Sequence, residues 1–471
     1  MNSTDLAFTS ALEQARLIRS KEISPIELTE LYLDRIQQLD PQLGSYFTVM
    51  GDRALADAQT KTEQLAENLD LPPFFGVPIA IKDLNPVAEV PCSYGVKILR
   101  TRVASQDDLV TTKLRQAGCV ILGKTATSQL GSFPYTEPPG FPAARNPWNL
   151  DYTPGGSSGG AAAAVAAGLC AIAQGSDGGG SIRGPAACCG LVGLKPSRGR
   201  ISYAPVGDYL GGYAVNGPIG RTVSDVAAFL DATAGYVAGD PYWLPNPEPS
   251  FLAATGQTPA ALRIGYVTEI SPIGAADPIC QVFAHKTAQL LAGLGHEIEP
   301  ITLNCDDLIE PFTILWRTQT DVGIPPFFLD KINRWLWWKA KLTSASHYVR
   351  SLHTLQKFAR KIVELSSAFD VLLTPTYMHP TIRVGEWAAL SPAKTLEKIA
   401  HWIAPCPAFN VSGQPAISLP AGFDANGLPI GIQLVGRPAG EFTLLSLAAQ
   451  IESAQPWVQH RSPIGGMGDG R

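Results

Sequence analysis

The sequence predicts an α/β fold, because segments with the pattern of helices alternate along the chain with short apolar segments typical of buried strands. Two features of the composition agree with this class. Hydrophobic residues make up 45% of the chain and charged residues only 16%, which indicates a large core, while 45 glycines and 39 prolines indicate many turns. The length of 471 residues fits one large α/β domain or two to three smaller ones.

The charge composition argues against nucleic acid and membrane partners. The formal net charge is −5, and no polybasic cluster stands out that would attract nucleic acid or anionic lipid. The N-terminus lacks the basic and apolar regions of a secretion signal. The apolar run at 161–173 is shorter than the roughly 20 residues that cross a bilayer. We therefore expect a soluble, cytoplasmic protein.

The cysteines predict free thiols and no metal centre. They are scattered through apolar sequence without a Cys-x-x-Cys pair, which is typical of buried thiols in a reducing compartment. No histidine stands at ligand spacing from a cysteine, so we expect neither a zinc site nor another metal or cofactor. The eight positions are Cys92, Cys119, Cys170, Cys188, Cys189, Cys280, Cys305 and Cys406.

Four helices are predicted before residue 118. Residues 3–20 have an amphipathic pattern. Ser24-Pro-Ile-Glu27 forms a capping box with proline at the first helical position, and the helix that it starts runs to about Leu39. A third helix is predicted over 51–68, and a further one over 108–117 before a buried strand at 119–123.

A buried strand at 76–84 carries a lysine close to its end. Apolar residues fill the four positions before Lys82, so its ammonium is expected to emerge from a core strand. A desolvated lysine loses its proton easily and then serves as a general base. The alternative is a surface ion pair between Lys82 and Asp83 at the end of the strand.

Two glycine-rich clusters flank an alanine run. Residues 155–160 read Gly-Gly-Ser-Ser-Gly-Gly, and residues 175–183 read Gly-Ser-Asp-Gly-Gly-Gly-Ser-Ile-Arg. Such glycine density indicates a backbone that turns tightly or approaches a ligand closely. The alanine run predicts a helix with Ser157 and Ser158 at its N-terminal cap. Successive N–H groups at 178–181 could form a nest for an oxyanion, which indicates acyl-transfer chemistry.

Two other interpretations of these clusters are weaker. A flexible linker has no reason to enclose an apolar helix, or to carry the charged residues Asp177 and Arg183. A phosphate-binding loop needs a Gly-Lys-Ser/Thr ending or a Gly-x-Gly-x-x-Gly motif after a strand, and neither is present.

The rest of the chain continues the alternation of helices and strands. Residues 134–154 are proline-rich and predicted to be irregular, 200–216 form a loop, and 216–222 turn into a helix capped by Thr222. Strands are predicted at 262–267, 371–375, 416–420 and 430–435, with helices over 277–295 and from about 441 to 453.

The segment 305–365 is predicted to be mostly helical and is rich in aromatic residues. Most of these residues are expected to be ordinary core residues, while some could line an apolar substrate pocket. They are Trp316, Phe327, Phe328, Trp335, Trp337 and Trp338.

Lys82 and the two clusters together resemble the amidase signature family, and the resemblance covers nearly the whole chain. It implies an α/β/α sandwich with a large mixed central β-sheet covered by helices. It also implies one domain over residues 1–471, with a catalytic core at about 70–230 and a variable helical region at about 305–365. Besides the two clusters, the motifs that carry the resemblance are Gly-Val-Pro-Ile-Ala-Ile-Lys-Asp at 76–83, Arg-Asn-Pro-Trp at 145–148, Cys-Gly-Leu-Val-Gly-Leu-Lys-Pro at 189–196 and Gly-Pro-Ile-Gly-Arg-Thr-Val at 217–223.

The resemblance implies a Ser–cis-Ser–Lys triad. Ser181 matches the nucleophile, Ser157 matches the serine that follows a cis peptide bond, and Lys82 matches the base. Ser158, Asp177 and Arg183 are expected to support the site. The oxyanion hole of the family maps onto the backbone N–H groups of Gly178, Gly179, Gly180 and Ser181.

Two positions depart from the family pattern. The chain has Ala161 where family members often have serine, and Gly178 where they often have a larger residue. Both are neighbours of the triad, so we expect intact catalysis in a wider or looser site. A Ser-His-Asp hydrolase is the rival mechanism. It would need a histidine from beyond residue 284 to reach Ser181, and no Gly-x-Ser-x-Gly elbow is present.

The resemblance implies hydrolysis of a small-molecule amide by a free-standing enzyme without a cofactor. The alternative within the family is a component of a tRNA amidotransferase complex, but the stretch 201–215 does not look like that component. The sequence Gly-Asp-Pro-Tyr-Trp at 239–243 and the region 189–225 are more similar to bacterial hydrolases of linear or cyclic amides, including the nylon-oligomer cyclic dimer type. A non-catalytic binding protein is a third interpretation, and a homodimer is left open.

Overall fold

A mixed β-sheet of eleven strands forms the centre of the protein, and three short strands form a separate sheet. The structure is a computed structural model that describes residues 2–65 and 70–466. Within these ranges the strands are β1 (Tyr46–Val49), β2 (Pro78–Lys82), β3 (Val120–Thr125), β4 (Ile172–Asp177), β5 (Val192–Lys195), β6 (Val215–Gly220), β7 (Arg263–Tyr266), β8 (Glu269–Ser271), β9 (Gly274–Ala275), β10 (Glu297–Pro300), β11 (Leu303–Asn304), β12 (Val371–Pro375), β13 (Ala416–Phe423) and β14 (Pro429–Gly436).

Helices flank the central sheet, so the predicted α/β/α sandwich with a large mixed sheet is confirmed. The α-helices are α1 (Ser3–Phe8), α2 (Ala11–Arg19), α3 (Pro25–Leu43), α4 (Gly51–Gln64), α5 (Leu109–Gln116), α6 (Gly159–Ala166), α7 (Arg183–Cys189), α8 (Val223–Thr233), α9 (Phe251–Ala254), α10 (Pro278–Gly293), α11 (Ile309–Thr318), α12 (Lys331–Lys341), α13 (Ala345–Ser367), α14 (Pro392–Trp402), α15 (Pro407–Ser412) and α16 (Glu441–Ala454).

The strand order of the large sheet is β1-β3-β2-β4-β6-β5-β13-β14-β12-β7-β10. Strands β3, β2 and β4 are parallel, and so are β12, β7 and β10 at the other end. The strands between these two groups pair antiparallel. Because β2 and β4 are parallel neighbours, their carboxyl ends meet at one edge of the sheet.

Local sequence signals set several boundaries as predicted. The capping box at Ser24 is present in full. Asp108 and Thr222 cap α5 and α8 with their side chains. All residues of α6 are buried, because the alanine side chains let this helix pack closely against the sheet.

Three predicted helices have different bounds in the structure. The predicted helix over 3–20 is two helices, because the backbone is extended at Thr9 and Ser10 caps α2 by accepting a hydrogen bond from Glu13. The helix from Ser24 continues past Leu39 to Leu43. The helix expected over 51–68 ends at Gln64, and residues 66–68 lie outside the described residues.

The segment 216–222 is not a turn into a helix. Val215–Gly220 forms β6 inside the sheet, between β4 and β5, although it contains Pro218. Proline normally occurs at sheet edges, so the local sequence argued against a central strand here. Residues 172–177 and 192–195, for which no strand was predicted, also form strands.

All eight cysteines are buried free thiols, as predicted. Burial raises the pKa of the Cys406 thiol to about 12, so it stays protonated at neutral pH. Among the described residues, no helix has both the length and the apolar composition needed to cross a bilayer.

Candidate active site

The site forms where the carboxyl ends of β2 and β4 meet. Lys82 is the last residue of β2, and Asp177 is the last residue of β4. The register pairs Ile81 with Gln174, which places Lys82 beside the end of β4. Gln174 fixes the lysine backbone by accepting a hydrogen bond of 3.0 Å from its N–H group. The sheet therefore positions this lysine from both its own strand and the neighbouring one.

Lys82 is fully buried, and its amine contacts hydroxyl groups rather than carboxylates. Its Nζ lies 2.7 Å from Ser157 Oγ and 3.1 Å from Ser176 Oγ, and donates to the Ser176 carbonyl oxygen at 3.3 Å. Burial lowers the pKa of Lys82 to about 7, with Asp177 opposing the shift. A large fraction of Lys82 is thus neutral near pH 7 and able to accept a proton from Ser157.

The alternative interpretation of Lys82, a surface ion pair with Asp83, is wrong. Lys82 makes no ion pair among the described residues, and Asp83 instead pairs with Lys124 at 2.8 Å. Both members of that pair are buried. Ser93 adds hydrogen bonds to Asp83 from its backbone and its hydroxyl group. Asp83 is therefore satisfied without Lys82.

Ser157 follows a cis peptide bond, the Gly156–Ser157 bond, as the family resemblance implied. Its side chain is buried, and its Oγ faces Lys82. Ser158 stands at the N-cap position of α6, but its side chain makes no capping hydrogen bond. It turns toward β4 instead, donating to the Ser176 carbonyl oxygen at 3.2 Å. Ser158 thus ties the start of α6 to the strand that carries the second cluster.

Ser181 lies in the loop that follows β4. Its relative exposure is 8%, which leaves its hydroxyl group accessible from the cavities described below. Within the described ranges Ser181 Oγ has no hydrogen-bond partner, whereas its carbonyl oxygen accepts from Ser158 N–H at 3.3 Å. Catalytic hydrogen bonds are often formed only once substrate is bound, so this geometry is compatible with a nucleophile.

Three of the four expected oxyanion donors are free. The N–H of Gly180 donates to Asp177 Oδ1 at 2.7 Å, so it is not available to a substrate, and this part of the prediction is wrong. The other N–H groups, of Gly178, Gly179 and Ser181, have no acceptor in the part of the chain that the structure describes. Gly180 has a φ of +122°, a conformation that side chains disfavour. This turn orients the loop so that one amide faces Asp177.

Asp177 and Arg183 form a buried bidentate ion pair behind the loop. Arg183 Nη2 lies 2.9 Å from Asp177 Oδ1, and Arg183 Nε lies 3.0 Å from Oδ2. Burial would raise the pKa of Asp177, but Arg183 outweighs it and lowers that pKa well below its usual range. Because Asp177 also holds the Gly180 N–H, the pair fixes the loop that carries Ser181.

Two residues far along the chain complete this ion pair and were not found by sequence reasoning. Asn410 Nδ2 donates to Asp177 at 3.0 Å, and its Oδ1 accepts from Arg183 at 2.6 Å. Gln433 Oε1 accepts from Arg183 Nη1 at 2.6 Å. Neither residue lies in a motif that would have identified it, because each is brought here by the fold.

Lys195 is a third buried lysine near the site. Burial, aided by Arg183, lowers its pKa to about 7. Its Nζ donates to the carbonyl oxygen of Pro196 at 2.9 Å, and it lines neither of the cavities at Ser181. Sequence reasoning did not single it out.

Two cavities meet at Ser181. The first, which we call the apolar chamber, has a volume of about 80 Å³. Within the described ranges no Asp, Glu, Lys, Arg or His lines it. It is lined by Ser132, Phe133, Pro134, Gly156, Gly179, Gly180, Ser181, Ile270, Ile273, Cys305, Leu308, Ile309, Phe312, Thr313, Trp316, Tyr377, Leu396, Ile399, Ala400, Ile403, Ala404 and Pro407.

The second cavity, which we call the polar chamber, has a volume of about 540 Å³. Arg102 is the one charged side chain among the described residues that line it. The lining residues are Leu84, Asn85, Tyr94, Leu99, Arg102, Leu130, Gly131, Ser132, Ser157, Ser176, Gly178, Ser181, Tyr203, Tyr209, Leu210, Ala214, Trp316, Gln319, Val322, Gly323 and Ile324.

Trp316 lines both chambers, and of the six aromatic residues predicted as candidates in 305–365 it is the one that reaches them. Its ring packs at 5.7 Å from Phe312, a further aromatic residue of the apolar chamber. A Cβ atom at Gly178 would lie 3.7 Å from Trp316 and 3.2 Å from Leu210. A larger side chain at this position would therefore press on Leu210, and a wider or looser site at Gly178 stays a prediction.

Tyr377 forms a wall of the apolar chamber and depends on a glycine. A Cβ atom at Gly184 would lie 1.7 Å from the Tyr377 hydroxyl oxygen, so only glycine fits. Among the described residues Tyr377 Oη has no hydrogen-bond partner, and its ring packs at 4.6 Å from Trp402.

The described residues give no support to the histidine mechanism. None of the seven histidines lines either chamber or hydrogen-bonds to Ser181. His379 stacks on Trp402 at 5.3 Å and interacts through Nδ1 with the Pro380 carbonyl oxygen.

Comparison with known proteins identifies relatives that match nearly the whole chain. The family model Amidase matches residues 27–445. A putative amidase of Synechocystis sp. is 50% identical over 453 residues, which cover 95% of this chain and 89% of that protein.

Solved structures show the same fold at different degrees of similarity. The structure of 6-aminohexanoate cyclic dimer hydrolase superposes with a TM-score of 0.91 at 32% identity, covering 97% of this chain and 99% of that one. A component of the glutamyl-tRNA(Gln) amidotransferase of Thermotoga maritima reaches a TM-score of 0.75 at 27% identity, with 92% of each chain covered.

Proposed function

This chain belongs to the amidase family and is an amidase, and we propose that Lys82, Ser157 and Ser181 carry out its chemistry on linear or cyclic small-molecule amides. The observation that supports this most strongly is the 2.7 Å contact between Lys82 Nζ and Ser157 Oγ. It joins a buried amine with a pKa of about 7 to a serine that lines the same chamber as Ser181.

In the proposed first step, Ser181 Oγ attacks the amide carbonyl carbon. Its proton passes to Ser157 Oγ, while the Ser157 proton passes to the neutral Lys82 amine. The carbonyl oxygen becomes an oxyanion, which we expect the free N–H groups of Gly178, Gly179 and Ser181 to stabilise.

In the following steps the carbon–nitrogen bond breaks and the acyl-enzyme is hydrolysed. The relay runs in reverse, so that Ser157 protonates the leaving nitrogen and Lys82 returns its proton to Ser157. Ammonia or an amine departs, leaving an ester on Ser181. A water molecule then attacks this ester, its proton enters the same relay, and the carboxylate is released with Ser181 regenerated.

The test is the intact mass of the protein after treatment with a fluorophosphonate, followed by peptide mapping. We expect one adduct, on Ser181, which is absent in Ser181→Ala and is formed far more slowly in Lys82→Met. Ser158→Ala is the matched control for Ser157→Ala, because the Ser158 hydroxyl group bonds to backbone rather than to Lys82. An adduct on another residue, with Ser181→Ala still active, would refute the assignment.

A free-standing hydrolase is supported over a component of an amidotransferase complex. The amidotransferase component is a more distant relative than the cyclic dimer hydrolase, with TM-scores of 0.75 and 0.91 respectively. A purified single chain that hydrolyses amides without partner proteins would support this conclusion, while activity that needs added partner proteins would contradict it.

We also propose that the chain is one domain and works in the cytoplasm. Strands from residue 46 to residue 436 share one sheet, which supports a single folding unit. Eight unpaired cysteines support a reducing compartment. Fractionation of the source cells tests the location, and sedimentation of the purified chain tests for a homodimer.

A further inference from the structure

The two chambers divide the substrate-binding space on either side of Ser181. Ser181, Ser132 and Trp316 line both chambers, so a substrate bound at Ser181 extends into each of them. Since an amide has an acyl part and an amine part, each chamber receives one part. The direction in which the amide lies decides which part each chamber selects.

The proton relay sets this direction. Ser157 lines the polar chamber and is absent from the described lining of the apolar chamber. The leaving nitrogen has to receive its proton from Ser157, so it must point toward the polar chamber. The bond from the carbonyl carbon to the acyl chain then points toward the apolar chamber.

The walls of the apolar chamber exclude charge from the acyl part. Its described lining offers no ionisable partner of the Asp, Glu, Lys, Arg or His type. Desolvating an ammonium or a carboxylate without a partner is strongly unfavourable, whereas each buried methylene group is favourable. Helix α14 and the turn after it contribute one face of this wall, with Leu396, Ile399, Ala400 and Ile403 at helical spacing.

The walls of the polar chamber suit a different group. Tyr94, Tyr203 and Tyr209 offer aromatic faces, and Tyr203 packs edge-to-face on Tyr209 at 5.0 Å. Gln319 adds an amide group. These side chains can stack on an aromatic amine and bind polar substituents on it.

We propose that this amidase acts on N-acyl amides whose acyl group is an uncharged alkyl or arylalkyl chain and whose amine part is aromatic or polar. This inference rests on the proposed function, because the relay through Ser157 defines the direction of the amide. Ala400, on the part of this wall that α14 contributes, is the position at which the size of the chamber is tested.

The first experiment compares four 4-nitroanilides that differ only in the acyl group: acetyl, hexanoyl, 6-aminohexanoyl and 5-carboxypentanoyl. We expect kcat/KM for the hexanoyl substrate to exceed that for acetyl by about tenfold or more, because added methylene groups are buried. We expect both charged chains to fall about 100-fold below hexanoyl. Equal or faster turnover of a charged chain would overturn the proposal.

The second experiment fills the apolar chamber. Ala400→Trp should lower the ratio of hexanoyl to acetyl turnover at least about tenfold, because the indole occupies the space of the chain. The matched control is Ala393→Trp on the same helix, at an alanine that lines neither chamber, and its ratio should equal that of the parent. Circular dichroism establishes that both variants fold.

A third experiment measures kcat/KM for hexanoyl amides that differ only in the amine. It distinguishes an effect of Ala400→Trp on the chamber for the amine part from an effect on the chamber for the acyl part. If Ala400→Trp changes the preference among amines and leaves the acyl ratio unaltered, the direction of the amide is reversed and the inference fails. The proposed function has its own failure, which is the absence of both a Ser181 adduct and any amide turnover. Turnover with a Ser181 adduct but a preference for charged acyl groups overturns only the inference.

Discussion

The neighbouring strands β2 and β3 each carry a buried lysine near their ends, and the two lysines are in opposite situations. Both Lys82 and Lys124 are fully buried, and the strand register places Ile81 of β2 opposite Lys124. Lys124 has the Asp83 carboxylate at 2.8 Å. Lys82 has two serine hydroxyl groups and a carbonyl oxygen, and its pKa falls to about 7. Lys124 is therefore paired with a carboxylate, whereas Lys82 contacts only neutral groups and is able to lose its proton.

Lys195 shows that a low pKa is not sufficient for a base. Its pKa also falls to about 7, because burial and Arg183 disfavour the ammonium. Its Nζ donates to a backbone carbonyl oxygen and contacts no hydroxyl group among the described residues. A general base needs both a neutral form and a proton donor within reach, and Lys82 alone of these three lysines has both.

The largest effect is expected from Lys82→Met. This change keeps the apolar stem and removes the amine, so we expect kcat/KM to fall about 10³-fold or more while the protein stays folded. Steady-state kinetics with a hexanoyl 4-nitroanilide and a thermal melt measure both quantities. A variant with a tenth of the parent activity would show that Lys82 is not the base.

Lys124→Met should affect stability instead of chemistry. Removing the partner leaves the Asp83 carboxylate buried and unpaired, which is expected to cost about 3–5 kcal/mol in the free energy of unfolding. Urea denaturation measures this loss. The double variant Asp83→Asn/Lys124→Met should recover part of it, because neither charge is then buried. An equally large loss in the double variant would argue against the ion pair as the cause.

The pH profile should report the titration of Lys82. The reaction needs the neutral amine, so kcat/KM should fall about tenfold per pH unit below about 7, where Lys82 becomes protonated, and should level off above that pH. Measurements from pH 5 to 9 on a neutral amide check this. The midpoint should be unchanged in Ser158→Ala, and a profile without a change near 7 would contradict the role of Lys82.

The smallest effect is expected from Lys195→Met. This lysine contacts no hydroxyl group among the described residues and lines neither chamber, so the change should alter kcat/KM by less than about threefold at pH 8. The same kinetic assay used for Lys82→Met provides the comparison. If kcat/KM of Lys195→Met fell as far as that of Lys82→Met, the contact with Ser157 would not be what distinguishes the base.

Local signals in the sequence explain which parts of the fold could be predicted. Caps such as Ser24 and Thr222, and apolar strands such as 371–375, depend on neighbouring residues and were found. Strand β6 was missed because its Gly-Pro-Ile-Gly sequence favours a turn, and only pairing with β4 and β5 on both sides makes it a strand. Tertiary pairing here outweighs local propensity.

In the active site, too, residues within contiguous motifs could be predicted, whereas residues brought together only by the fold could not. The resemblance named Lys82, Ser157 and Ser181, and it could do so because their motifs are contiguous. Asn410 and Gln433 lie more than two hundred residues beyond Arg183 and carry no local signal, although both hydrogen-bond to it. The chambers were equally out of reach, because their walls combine segments from several distant parts of the chain.

The close approach of Tyr377 to Gly184 makes the apolar chamber sensitive to a residue that does not line it. Any side chain at residue 184 would collide with the Tyr377 ring, which is also confined by Trp402. The ring would then move toward the open volume beside it, the chamber next to Gly180. A substitution at Gly184 is therefore expected to change substrate preference from a position on a buried helix that lines neither chamber.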